Sequence, residues 1–117
     1  MKTLIITLLM LSFFTGCSSV KKNEKYYQTI FCKKMNGIME YRLKDKTRVD
    51  CLTSNFAIEV DWAKKWAEVV GQSLYYAEST NKKAAIALIA SHKDERFIKR
   101  VKKLALKFDI KLFIIEK

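Results

Sequence analysis

FAIEVDWAKKWAEVVGQSLYYA, residues 56 to 77, changes period in its middle. FAIEV is a short apolar run that follows the turn pair Ser54-Asn55, which reads as a strand. From Asp61 the apolar residues recur at helical spacing: Trp62, Trp66, Val70, Leu74 and Ala77 share one face of a helix over about Asp61 to Ser79. A strand that feeds straight into a helix marks an α/β fold. Two carboxylates, Glu59 and Asp61, stand where such a strand should be apolar.

The neighbouring segments complete the pattern. AAIALIA (84–90) is a continuous apolar run, as expected of a strand covered on both faces. Ser91 followed by Asp94 and Glu95 marks the start of a helix that buries Phe97, Val101, Leu104 and Phe108. KLFIIEK (111–117) closes the chain as a strand. The last half is therefore a strand–helix–strand unit with parallel strands and a right-handed crossover.

Upstream, a helix from about Glu24 to Asn36 places Tyr27, Ile30, Phe31 and Met35 on one face, with Gly37 at its C-terminal stop. The strands IMEYRLK (38–44) and TRVDCLT (47–53) then lead to FAIEV. With no Pro and only three Gly, the turns must use Asn, Asp, Ser and Lys. The order is αβββαβαβ, a mixed sheet flanked by helices. Of 117 residues half are hydrophobic, enough for a single domain with one core.

The N-terminus stands apart. MKTLIITLLMLSFFTGC has Lys2, an apolar run from Leu4 to Leu11 that resumes at Phe13, and small residues before a Cys. That is the layout of a secretory signal too short to remain as a spanning helix. FTGC resembles the lipobox of bacterial lipoproteins, with Phe14 where Leu is commoner. The resemblance implies cleavage before Cys17 and its lipidation, palmitate among the acyl groups. Ser18 and Ser19 follow, with no Asp, which in enteric-type bacteria implies the outer membrane, facing the periplasm. An ordinary signal peptide or a retained anchor is the alternative. The expected layout is a signal over 1–16, a lipidated Cys and tether over 17–25, and a domain over 26–117, whose first helix overlaps the tether.

Removal of residues 1–16 takes away one Lys and leaves 22 Lys and Arg against 12 Asp and Glu, a net charge near +10. A domain this basic attracts polyanions, either nucleic acid or the anionic lipid beneath its own anchor. Solubility alone is the third reading, and composition does not choose among them. Cys32 and Cys51 are an even pair in an oxidising compartment. They either form a disulfide that closes a loop of about 20 residues or remain two buried thiols. With His92 they are too few for a zinc site. His92 itself reads as a surface residue before a helix.

The strands bring acids together. If Ser54-Asn55 is a two-residue hairpin loop, Thr53 pairs with Phe56, Leu52 with Ala57, Cys51 with Ile58 and Asp50 with Glu59. Like charges directly opposite are destabilising unless something compensates. Glu40 on the preceding strand reaches the same patch, and Asp61 shares the parity of Glu59. A hard divalent cation relieves such repulsion; a salt-bridge cluster using Arg42, Arg48 or Lys65 does so equally. On the following helix, Asp61, Lys65, Glu68, Gln72 and Tyr76 fall within about 80° of one another, and Lys64 lies outside that stripe.

These motifs resemble the PD-(D/E)XK nuclease superfamily, particularly its exonuclease branch, over residues 24–117. Gly37-Ile38-Met39-Glu40 matches a Gly followed by an acid, TRVD ending in Asp50 the central acid, AIEV with Glu59 the third-strand acid, and Gln72-Ser73-Leu74-Tyr75-Tyr76 the Gln-x-x-x-Tyr motif. The family's Glu-x-Lys reads Glu59-Val60-Asp61 here. In some members the Lys has moved to the neighbouring helix, and Lys65, one turn after Asp61, is placed to do so; Lys64 is the weaker candidate.

The resemblance implies a restriction-endonuclease-like core and a metal-dependent phosphodiesterase. Asp50 and Glu59 would bind Mg²⁺ or Mn²⁺ with Glu40 assisting, and Lys65 would orient the nucleophile. Gln72 and Tyr76 would contact the nucleic-acid backbone. The alternative is a non-catalytic envelope lipoprotein on a nuclease-like fold; an envelope assembly factor that uses its basic face on lipid is a third class. The sequence contains no Gly-rich phosphate loop, no Gly-x-Ser-x-Gly elbow and no Cys/His pair at catalytic spacing.

Overall fold

The computed structural model of the chain describes Gly16 and residues 19–117; residues 1–15, 17 and 18, and with them the expected signal and the lipidation at Cys17, lie outside the described residues. The elements are α1 (Glu24–Lys34), β1 (Ile38–Arg42), β2 (Arg48–Leu52), β3 (Phe56–Trp62), α2 (Trp66–Thr80), β4 (Lys83–Ala90), α3 (Glu95–Phe108) and β5 (Lys111–Glu116). Short 3₁₀ turns at Ala63–Lys65 and His92–Asp94 precede α2 and α3. One five-stranded sheet runs in the order β1-β2-β3-β4-β5. The first three strands are antiparallel, and β3, β4 and β5 are parallel. The αβββαβαβ order and the mixed sheet are as expected.

The two faces of the sheet bury different halves of the sequence pattern. On one face Ile58, Val60, Ala85, Ala87 and Ile89 pack with Cys32 and the flanking Tyr27, Phe31 and Met35 of α1. On the other, Ala84, Ile86, Leu88 and Ala90 meet Val69 and Val70 of α2 and Val101 of α3. The apolar run of β4 is thus explained: from Ala84 to Ala90 every side chain is buried.

Scarce glycine shows in the helix ends. Asn36, Asn81 and Asp109 each take φ 54° just past α1, α2 and α3, a conformation that short polar side chains tolerate best after Gly. The left-handed residue at the end of α1 is therefore Asn36, not Gly37. Gly37 has a different reason to be Gly. A Cβ there would collide with Cys51 Sγ and lie 2.8 Å from Cys32 Sγ. Those two sulfurs form a disulfide, with Cα atoms 5.6 Å apart, that ties α1 to β2. A loop of this length contributes roughly 3 kcal/mol.

Four local expectations are corrected. Trp62 is the last residue of β3, not a core residue of the helix, and its ring meets Tyr27 edge-on at 5.7 Å. The α-helix begins at Trp66 rather than at Asp61. On α1, Ile30 is 53% exposed while Gln28 is buried. Phe108, the last residue of α3, lies half-exposed.

Candidate active site

The β2–β3 ladder holds the expected register at Leu52↔Ala57 and Cys51↔Ile58. At the next position side chains replace it. The Asp50 main-chain N–H donates to Glu59 Oε1 at 3.1 Å, and the Val60 N–H donates to Asp50 Oδ2 at 2.8 Å. The two acids are therefore not a plain cross-strand pair: each carboxylate reaches across to an amide of the other strand. The β1–β2 register, Met39↔Cys51 and Tyr41↔Val49, is interrupted between them at Glu40 and Asp50. Glu40 there adopts φ 52°, a left-handed conformation uncommon for a residue with a Cβ.

Burial sets the electrostatics. Glu59 is 4% exposed and Asp61 7%. Burial, then the nearby Asp50 charge, pushes the Glu59 carboxyl up to about 9. Burial also raises Asp50, outweighing the Val60 amide that favours its ionised form. Burial and the neighbouring Asp50 charge thus favour a retained proton on Glu59. Glu24 of α1 is also affected by the cluster. Burial, followed by the charge of and a hydrogen bond to Asp61, lifts Glu24 to about 7, while Lys65 draws it down. Glu40 differs from these. Burial opposes its ionisation, but hydrogen bonds from Gln28 Nε2 (2.9 Å) and Lys25 Nζ (3.0 Å) hold it below the usual value.

Lys65 does return to the cluster. Its Nζ stands 3.7 Å from Asp61 Oδ1, while Asp61 Oδ1 also accepts the Trp62 N–H at 2.8 Å. Lys64 points elsewhere, into a shallow hollow with Trp62, Asp94 and Lys117. Among the described residues no Lys, Arg or His comes within 4.0 Å of Asp50 or Glu59. Of the salt-bridge alternative only Lys65 is seen in place, on Asp61; Glu40 is paired instead by Lys25, and among the described residues Arg42 and Arg48 pair with none of the acids within 4.0 Å.

The Gln-x-x-x-Tyr motif divides. Gln72 is half-exposed on α2. Tyr76 is 8% exposed and packs with Val49 and Ala57, so its ring is a core element. Burial and the charge of Glu59 raise its phenol.

Sequence reasoning missed Glu24 and Gln28. The signal was present: Glu24, Gln28 and Cys32 are spaced four apart and so lie along one stripe of α1. Once Cys32 is joined to Cys51, that stripe runs beside Asp50. The periodicity of larger apolar residues drew the helix face toward Ile30 instead.

The donor set suits a hard divalent cation. Glu40, Asp50 and Glu59 offer carboxylate oxygens, the ligand type such an ion takes, and a cation can displace the proton that burial favours on Glu59. Among the described residues, no three His, Cys, Asp or Glu side chains are already arranged to enclose an ion. No family model matches the chain, and neither a curated protein nor a solved structure is detectably similar to it.

Proposed function

We propose that the chain is a divalent-cation-dependent phosphodiesterase acting on nucleic acid. It is built on a PD-(D/E)XK, restriction-endonuclease-like core and carried to the bacterial envelope as a lipoprotein. The observation that carries this reading is the Asp50–Glu59 pair, Glu59 buried and Asp50 partly buried, which among the described residues has no cationic side chain within 4.0 Å. Its support is the αβββαβαβ order together with the four motifs. A disulfide between Cys32 and Cys51 suits an exported domain.

Asp50 and Glu59 would hold Mg²⁺ or Mn²⁺, with Glu40 assisting. When bound, such an ion supplies Lewis acidity for phosphoryl chemistry. Lys65, steadied by Asp61, orients the attacking water and offsets negative charge on the phosphate. Asp61 thus fills the position of the family's Lys and holds the migrated one. Gln72 offers a carboxamide to the nucleic-acid backbone; the buried ring of Tyr76 places that stretch of α2 against β2. Lys25, Arg96 and Arg100 add positive charge near the N-terminal ends of α1 and α3, Arg100 lying over the Trp66 ring at 5.2 Å.

The test is cleavage of labelled single- and double-stranded DNA and RNA, with Mn²⁺ or Mg²⁺ and with chelator. Metal-dependent cleavage that is lost in Asp50→Asn supports the proposal. No cleavage of any substrate contradicts it. Cys17→Ser tests the anchor: fatty-acid label that persists in that variant sinks it.

A second reading has its own observation. Glu59-Val60-Asp61 lacks the family's Lys, and the central carboxylates are engaged by main-chain amides. A non-catalytic envelope lipoprotein on the same fold fits both facts.

A further inference from the structure

Gln28 is a buried polar side chain that the chemistry proposed above does not use. It is 2% exposed, on the α1 stripe between Glu24 and Cys32. Its Nε2 donates twice, to Glu40 Oε1 at 2.9 Å and to the Asp50 carbonyl at 2.9 Å. Both amide hydrogens are thereby used. They span the place where the β1–β2 register is interrupted, and they join the two acids on either side of it. Glu40 has φ 52° at that point, so its backbone needs an external hold. Lys25 also reaches Glu40, but its side chain is 57% exposed and fixes little.

We propose that Gln28 is a positioning residue: its carboxamide locks Glu40 and the main chain of Asp50 into one arrangement and so sets the site for its cation. The disulfide one turn further along α1 fixes the helix from which Gln28 reaches. Neither contact leaves Gln28 a part in the chemistry itself. Its donors face protein groups, and its effect passes through Glu40 and Asp50. Outer hydrogen-bond partners of this kind typically alter metal affinity 10- to 100-fold.

The inference rests on the phosphodiesterase reading, and its test separates the two. Gln28→Met keeps the length of the side chain and removes both donors; Gln28→Asn keeps the carboxamide one methylene short. The full chain is studied in each form by NMR and by Mn²⁺ titration. A left-handed Glu40 brings its amide proton close to its own Hα and gives a strong intraresidue cross-peak. In the wild type that cross-peak is expected. In the variants it is expected to weaken, with Mn²⁺ affinity lowered about tenfold or more and the disulfide still formed. An unchanged cross-peak together with unchanged Mn²⁺ affinity in both variants overturns the proposal. A wild type that shows the cross-peak but binds no Mn²⁺ overturns the phosphodiesterase reading; loss of the cross-peak in the variants still upholds the hold of Gln28 on Glu40.

Discussion

Asp50 and Glu59 exchange hydrogen bonds across two strands: Glu59 Oε1 accepts from the Asp50 main-chain N–H, and Asp50 Oδ2 accepts from the N–H of Val60, next to Glu59. The sheet thus continues through side chains where its main-chain ladder stops. This places the buried carboxyl of Glu59 beside the partly buried one of Asp50, with no cationic side chain within 4.0 Å among the described residues.

The first consequence is an unusual dependence of stability on pH. Glu59 rises from 4.5 to about 9, and Glu24 to about 7. The folded state therefore keeps protons that the unfolded chain releases above about pH 4.5. Raising the pH through that window favours unfolding, by at most about 1.4 kcal/mol per unit for Glu59 and by less for the half-exposed Glu24, whose charge water screens. Glu40 and Asp94, held low, act with the opposite sign but only in the acid range. The melting temperature of the metal-free protein should fall between pH 5 and pH 9, and Glu59→Gln should flatten that fall. A melting temperature that rises over this range contradicts the assignment.

Gly37 and the disulfide should be coupled. Gly37→Ala puts a methyl group against both sulfurs, which cannot give way while bonded. The variant should lose about 1–3 kcal/mol. In a Cys32→Ala, Cys51→Ala background the same change should cost much less. Denaturant unfolding of the four forms measures the coupling; additive losses would show that the sulfurs do not limit Gly37.

Much of the fold was legible because each segment's period matched its final environment. The apolar run of β4 could only be a strand buried on both faces, and Ser91 with Asp94 forms the expected capping box. The junction at residues 61–66 was less legible. Trp62 fits both a strand end and a helical stripe, and periodicity cannot choose where the two overlap. Within the site, pairing arithmetic brought Asp50 and Glu59 together. It could not foresee the left-handed Glu40, because no Gly or Asn marks that position. The share of α1 stayed hidden because a buried Gln and a half-buried Glu look like solvated residues until the disulfide fixes the helix face.

Lys65 and Lys64 are adjacent, but only Lys65 faces the acids. Lys65→Ala should lower the cleavage rate about 10²-fold or more while metal affinity changes little. Lys64→Ala should leave both nearly unchanged. Equal effects from the two would mean that general positive charge, not placement beside Asp61, is what counts.

Tyr76 and Gln72 should separate stability from binding. Tyr76→Ala removes a buried ring and should destabilise the fold by about 3 kcal/mol. Gln72→Ala should change stability by less than about 0.5 kcal/mol yet weaken nucleic-acid binding. Thermal unfolding and a binding titration on the same samples distinguish the roles. A stable Tyr76→Ala variant would contradict the placement of the ring in the core.

The most direct test of the central claim is a calorimetric titration of Mn²⁺ into the wild type and Asp50→Asn, at pH 7 and pH 8. The account predicts one site in the wild type, bound more tightly at pH 8 because binding displaces the proton that burial favours on Glu59, and loss of that site in Asp50→Asn. No binding at millimolar Mn²⁺, or equal binding by both proteins, would contradict it.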